Sequence, residues 1–397
     1  MIRVAVLGFG VVGSGVVELL TGKGSGLSRK ADELIELKYI LDVRDFSDSP
    51  FAQYFVQDFS VIEKDPEIDI VIETIGGASI ALDFTERALR AGKSVVTSNK
   101  EVVAQNGYHL LELANEHKAT YLFEASVGGG IPILRPLSQC MAANEILEIC
   151  GILNGTTNYI FTRMLEAGLS FEAALKEAQD NGYAERDPSA DIEGWDTCRK
   201  ICILASIAFG HHVLPKQVST IGVTKVSLED AAYAAACNRK IKLLGRAIQY
   251  ADESVCAYVE PHLVSLVNPL ACVEDVFNAI TVKGNATGDV MFYGRGAGKM
   301  PTASAVVADV IAIARQMEHS AYRPWQAPRT DCTISADTIA SQWLVRLDSD
   351  TLERAEELVV ECAPAGERGY LTETMTRPEL MKLLEGKPVI SVIRVLD

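Results

Sequence analysis

The chain has 397 residues, too many for one ordinary core and enough for two or three domains. With 48% hydrophobic and 23% charged residues, its composition is that of a globular protein and excludes a largely disordered one. A net charge of −16 argues against general binding to nucleic acid or an anionic membrane surface, which needs clustered Lys and Arg, but leaves room for one small anionic ligand in a locally positive site.

In chain order, the opening "MIRVAVLGFG" reads as a buried strand and leaves no place for a leader segment. No apolar run approaches the ~20 residues that span a bilayer, so a cytoplasmic protein without membrane contact is expected. Residues 1 to about 130 alternate β-rich runs ("RVAVLGF", "LKYILDV", "IDIVIET", "KSVVTS", "ATYLFEA") with helical stretches such as "ALDFTERALRAG". This alternation predicts a parallel sheet with helices on both faces. From 131 the pattern changes. A helical start at "PILRPLSQCMAAN" is followed by the strand "EILEICGILN", then by the helices "SFEAALKEAQDNG" and "DTCRKICILASIAFG". Strand-like runs return at "STIGVT", "KIKLLGRAIQYA", "CAYVEPHLVS" and "FNAITVKG", which suits a mixed α+β domain over 131–299. "MPTASAVVADVIAIARQM" (300–317) is a late helix expected to return to the first domain. "YRPWQAPRT" (322–330) has the composition of a linker. Residues 331–397 then read strand, helix, strand, helix, strand, with "TLERAEELV" and "RPELMKLLEG" as the helices, and make a small C-terminal α+β module. The nine cysteines are scattered without a CxxC pair, so reduced core cysteines are expected rather than a metal site.

The first strand runs straight into "GFGVVG", Gly8-Phe9-Gly10-Val11-Val12-Gly13, and a helix follows at once. In that context GxGxxG is a dinucleotide fingerprint: Gly8 makes the turn, Gly10 lets the backbone approach a pyrophosphate, and Gly13 lets helix meet strand. The helix N-terminus then faces the phosphates. The second strand ends in Asp42, Arg44 and Asp45. A carboxylate there favours the free ribose of NAD and an arginine the 2′-phosphate of NADP, so both cofactors stay open, with Arg44 leaning towards NADP. Later strands end in "VIETIGG" and "VVTSNKEVVA", which offers Thr74 and Ser98 to the nicotinamide end of the cofactor and Lys100 to substrate or cofactor.

The stretch "GYAERDPSADIEGWDTCRK" (182–200) crowds five carboxylates, Glu185, Asp187, Asp191, Glu193 and Asp196, just before the apolar run "ICILASIAF". Asp196 and Lys200 are four apart and share one helix face. An exposed pair would be a surface ion pair of little consequence. The apolar continuation instead puts this first turn at the mouth of a buried site, and the Asp187-Pro188 turn would aim Glu185 at it.

Taken with "EASVGGGIPIL" (124–134), "NGTTNYI" (154–160) and "GRGAGKMPTASAVVADV" (294–310), these motifs resemble homoserine dehydrogenase over about residues 1–320. The resemblance implies NADPH- or NADH-dependent reduction of aspartate 4-semialdehyde to homoserine, in the route to threonine, methionine and isoleucine. It implies Lys200 as proton donor and Lys100 as a second lysine at the reaction centre. Glu185 and Asp196 would bind substrate, with Asp191 nearby and Thr156 among the candidate donors to its carboxylate. Gly182, Gly296 and Gly298 would approach the cofactor. Glu124, by carbonyl or carboxylate, and the carbonyls of Val127, Gly129 and Ile131 would form a sodium-type cation site. A homodimer or homotetramer is expected. The short C-terminal module departs from the βαββαβ ACT domain of many members, which puts amino-acid feedback in doubt. Two rival readings compete with this one: an acyl-forming semialdehyde enzyme, which needs a nucleophilic Cys beside a His base, and a nucleotide-sensing protein without catalysis, which has no need of Lys200 and Asp196 together.

Overall fold

A computed structural model of the chain describes residues 1–22, 31, 33–315, 325–329, 332–360 and 363–396. The last residues of the expected late helix, part of the expected linker and Cys362 lie outside the described residues. The chain forms two compact units, one of Met1–Glu145, Cys202–Pro215 and Gly294–Arg329, the other of Ile146–Ile201, Lys216–Tyr293 and Thr330–Asp397.

In the first unit, among the described residues, six parallel strands pair: β1 (Ile2–Leu7), β2 (Ile35–Leu41), β3 (Phe55–Val56), β4 (Ile70–Glu73), β5 (Ser94–Thr97) and β6 (Tyr121–Leu122). Their order, β3-β2-β1-β4-β5-β6, is that of a doubly wound dinucleotide fold, with the reversal between β1 and β4. Val4–Leu7 and Ile70–Ile72 are buried without alternation, as a sheet covered on both faces requires. The helix Lys299–Ala314 packs on the helix Val11–Thr21, and Gly15 permits the contact: a Cβ there would stand 3.0 Å from Lys299 Cγ and 3.1 Å from Ala303 Cβ.

The second sheet, again among the described residues, has ten strands of mixed direction: β7 (Ile146–Ile152), β8 (Ser219–Thr220), β9 (Arg239–Gln249), β10 (Val255–Ser265), β11 (Phe277–Gly284), β12 (Gly288–Arg295), β13 (Trp343–Asp348), β14 (Ala355–Leu358), β15 (Glu367–Thr372) and β16 (Val389–Leu396). The expected fold class, a parallel Rossmann-type sheet followed by α+β structure, is the one observed. Residues of the C-terminal stretch group with the second unit, because β16 pairs in parallel with β10 through His262↔Arg394, Leu263↔Val395 and Val264↔Leu396. Buried Glu260 accepts from both Arg394 and Arg377, and Arg394 lies 4.3 Å from the Trp343 ring.

The helix expected at "TLERAEELV" is instead a strand. Leu352, Ala355 and Leu358 imitate helical spacing, but Arg354 turns through φ +53° and Ala355–Leu358 pair antiparallel with β15. A lone helix this short is marginal in water, whereas the sheet edge supplies a ready ladder of backbone partners.

Candidate active site

In the first unit the glycine motif fits a dinucleotide in detail. Gly8 has φ +90°, open to glycine at little cost. A Cβ on Gly13 would lie 1.9 Å from the Gly8 carbonyl oxygen, so only glycine lets helix and strand approach this closely. Around Gly10, the cap of the helix Val11–Thr21, nothing lies within 4 Å of a Cβ position, which is the open approach a pyrophosphate needs. Phe9 packs edge-on to Phe46 and Phe55, Val11 is exposed, and Val12 is half-buried.

Of the neighbouring residues, Thr74 departs from its expected role, and Asp42 is engaged within the protein. The Thr74 hydroxyl points to the carbonyls of Leu7 and Gly8, at 2.9 and 3.0 Å, and so braces the glycine turn instead of reaching towards a nicotinamide. Asp42 accepts from Phe9 N at 2.8 Å and from Arg44 Nε and Nη2 at 3.0 and 2.8 Å. This grip holds its carboxyl far below the usual carboxylate range, chiefly through Arg44. Both oxygens are engaged, while Arg44 stays exposed with its guanidinium 5.0 Å from the Phe46 ring.

At the ends of β4 and β5, buried Glu73 accepts from Ile75 N at 2.6 Å and from the Thr97 hydroxyl, and burial raises its carboxyl to about 7. Asn99 donates to the carbonyls of Ile75 and Gly77 and caps the helix Lys100–Glu116 by accepting from Val102 N. Ser98, in the loop after β5, and Lys100, the first residue of that helix, are both half-buried and flank the Asn99 tie to the loop after β4. Beyond the strand ends, nothing in the residue pattern marks this network.

The "EASVGGG" turn is buried and tightly held. The Glu124 carboxylate accepts from Ile133 N, Leu134 N and Arg135 N at 2.7, 2.9 and 2.9 Å. That overturns the carboxylate as a cation ligand and leaves its carbonyl. Gly128 and Gly129 have φ +73° and +51°, and a Cβ on Gly129 would lie 2.5 Å from the Gly296 carbonyl oxygen. Val127 and Ile131 are buried beside them. Beneath the turn, Asp309 accepts from Glu124 N and pairs with Arg135 at 2.7 Å; its burial raises the carboxyl to about 7. Gly298, at φ +121°, begins the helix Lys299–Ala314.

In the second unit two carboxylates of the acidic stretch, Asp191 and Asp196, join a cluster with Lys200, while Glu185, Asp187 and Glu193 are exposed. Gly194, at φ +86°, starts the helix Trp195–Phe209. Gly245 on β9 lets that helix lie close: a Cβ there would meet Thr197 Cγ2 at 3.0 Å, Leu153 Cδ1 at 3.1 Å and Ile201 Cβ at 3.2 Å. Lys200 is 7% and Asp196 4% exposed, which rules out the exposed surface pair. Lys200 Nζ donates to Asp196 Oδ2 and to the Leu153 carbonyl, both at 2.7 Å. Asn154 Nδ2 donates to the same Asp196 oxygen at 2.9 Å and to Asp191 Oδ1 at 2.7 Å. The Asp191 carboxyl is raised, first by burial and then by Asp196. The Thr156 hydroxyl donates to Tyr183 O at 2.8 Å and also lies against Asp191.

Lys200, Asp196, Asp191 and Thr156 are thus brought together. Glu185 is not among them: its side chain is exposed, and its carbonyl accepts from Gln179 Nε2 at 3.1 Å. Gly182 turns at φ +73° in open space. The residue pattern around Asn154, ahead of "GTT", signals a helix cap and nothing of its bridge between two carboxylates.

The profile of the family described as "Homoserine dehydrogenase" matches residues 132–311, and that of "Homoserine dehydrogenase, NAD binding domain" matches residues 8–124. The homoserine dehydrogenase of Synechocystis sp. is 43% identical over 84% of this chain and 78% of its own length. This chain belongs to the homoserine dehydrogenase family. The Corynebacterium glutamicum homoserine dehydrogenase is 35% identical over 99% of this chain and 94% of its own. A crystal structure of a homoserine dehydrogenase from Thiobacillus denitrificans superposes with a TM-score of 0.91 at 31% identity, covering 100% of this chain and 98% of that one. A hyperthermophilic archaeal homoserine dehydrogenase solved in complex with NADPH superposes with a TM-score of 0.67 at 27% identity, over 80% of this chain and 99% of its own. The glycine loop and the lysine–carboxylate cluster therefore stand in a homoserine dehydrogenase fold.

Proposed function

We propose that the protein catalyses the reversible NAD(P)H-dependent reduction of L-aspartate 4-semialdehyde to L-homoserine. The observation that carries this reading is the buried Lys200–Asp196 pair with Asn154 and Asp191 around it, in a chain of this family. When bound, the nicotinamide supplies the hydride for the aldehyde carbon. Lys200 gives a proton to the aldehyde oxygen as it becomes a hydroxyl, and its positive charge stabilises the developing alkoxide. Asp196 holds that ammonium in place. Two carboxylates face one lysine here, and the surplus negative charge suits the substrate ammonium. Glu185 is proposed as a further ligand of that ammonium, brought in from an exposed loop, Thr156 as a donor to the substrate carboxylate, and Lys100 as a second lysine of the reaction.

Gly8–Gly13, with Ser98, Gly182, Gly296 and Gly298, are proposed to hold the dinucleotide. NADP is proposed as the preferred form: Asp42 is engaged by Arg44 and Phe9 N, so a ribose diol loses its usual acceptor, while the exposed Arg44 offers a fork to a 2′-phosphate. A sodium-type cation is proposed on the carbonyls of Glu124, Val127, Gly129 and Ile131, the left-handed glycines allowing the sharp turn. The first unit is proposed to bind dinucleotide and the second to bind substrate and to dimerise. Among the described residues no helix is long and apolar enough to cross a membrane; a cytoplasmic homo-oligomer serving threonine, methionine and isoleucine synthesis is proposed. A shortened ACT-like element is proposed for the C-terminal stretch, whose described residues include four strands and one α-helix.

The acyl-forming rival has little support. Cys198 and Cys202 are fully buried, and burial raises the Cys150 and Cys256 thiols to about 12 and about 11, away from the thiolate a nucleophile needs. The test is homoserine-dependent reduction of NADP and of NAD, followed at the nicotinamide absorbance, in the wild type and in Arg44→Ala. The expected result is turnover with both, a higher kcat/KM for NADP, and a rise in KM for NADP alone in the variant. Absence of homoserine-dependent turnover would overturn the reading.

A further inference from the structure

Asn154 is 5% exposed, and every polar function of its side chain has a partner. Its oxygen accepts from Thr157 N at 2.9 Å and from the Thr157 hydroxyl at 3.0 Å, which fixes the amide with its nitrogen facing outward from the helix Gly155–Ala167. The two N–H groups then go to two different carboxylates, Asp191 and Asp196, 37 and 42 residues further along the chain. Few side chains satisfy this geometry. Serine would cap the helix but has one donor; aspartate would cap it but would set a third carboxylate against the other two.

The bridge matters because the cluster is electrostatically unbalanced. Buried carboxylates held together repel, and one of them takes up a proton unless donors compensate. The ionisable groups acting on Asp191 are Asp196 and Lys200 of the helix Trp195–Phe209; the helix Gly155–Ala167 contributes the amide of Asn154 and the hydroxyl of Thr156. The oxygen of Asp196 that takes the Asn154 amide is also the one that takes Lys200.

We infer that Asn154 is a positioning residue: by bridging Asp191 and Asp196 it keeps both carboxylates ionised and fixes Asp196 where it orients the Lys200 ammonium. The inference rests on the role given to Lys200 above. Losing the bridge raises the pH at which Asp191 takes a proton and loosens the lysine, whereas losing only a helix cap would alter stability and leave the pH profile alone.

The experiment compares Asn154→Ser and Asn154→Asp with the wild type and with Lys200→Ala, measuring kcat and KM for each substrate of homoserine oxidation, the thermal midpoint, and the pH dependence of kcat/KM in the reductive direction, where Lys200 acts as an ammonium and an acid limb reports carboxylate protonation. Serine keeps the cap, so Asn154→Ser is expected to fold normally, to lose about tenfold or more in kcat, and to show its acid limb moved to higher pH. KM for NADP should be unchanged. Asn154→Asp is expected to show the same changes more strongly, and it decides the matter if the serine variant does not fold. A folded variant with wild-type kcat and an unmoved acid limb, beside an inactive Lys200→Ala, would overturn the inference and leave the proposed function standing. A near-normal Lys200→Ala would remove its foundation as well.

Discussion

Glu73 ends β4 with its carboxylate sealed from water, one oxygen on Ile75 N and the other on the Thr97 hydroxyl. Burial raises this carboxyl from 4.5 to about 7, so between those values the folded protein holds a proton that the unfolded chain has lost. The sign follows from linkage. Its stabilising contribution is fully present below the unfolded value and is lost as pH rises through about 7, an effect of about 3 kcal/mol for one such group. Glu73→Gln removes that titration and keeps the shape. Denaturant unfolding at about pH 5 and about pH 7.5 should show the wild type losing stability relative to the variant as pH rises. Parallel behaviour of the two would contradict the buried-acid assignment. Asp309, also raised to about 7, obeys the same sign, whereas buried His262, lowered to about 3, works in the opposite sense below its ordinary value. For that reason the difference between wild type and variant is the informative quantity.

At the scale of elements, the helix Trp195–Phe209 carries Lys200 because two glycines let it: Gly194 starts it and Gly245 leaves room beneath it. Gly245→Ala would press on Thr197, Ile201 and Leu153, whose neighbours or own carbonyl hold Lys200. A stability loss of about 1–3 kcal/mol is expected, together with a fall in kcat that exceeds any change in KM for NADP. Equal stability and kcat would show that the strand–helix spacing is not tight. This helix was legible in the sequence because Asp196 and Lys200 stand four apart ahead of a long apolar run. So were the parallel strands, whose apolar runs alternate with helices. β12 and the helix Leu228–Ala236 leave a weak trace in the sequence: β12 has glycine near both ends and no fully buried residue, and more than half of the helix is alanine. "TLERAEELV" was misread because its spacing fits a helix while its pairing with β15 is set by residues further along. The Asn154 amide and the Arg44–Asp42 grip escaped for a related reason: side-chain partners chosen by the fold leave no periodic trace.

For the molecule as a whole, the acidic surplus of −16 does not describe the local charge at the candidate sites, where single cations pair with buried carboxylates. Arg44 engages Asp42, Arg135 engages Asp309, and Lys200 engages Asp196. The C-terminal stretch completes the second sheet through β16, and the buried Glu260 depends on it for both of its arginines. The account therefore turns on one ammonium in one buried cluster. Its most direct test is the turnover of Lys200→Ala with homoserine and NADP, alongside a fluorescence titration of NADPH. A fall in kcat of about a hundredfold or more with NADPH binding retained is the predicted result. Near wild-type turnover would contradict it.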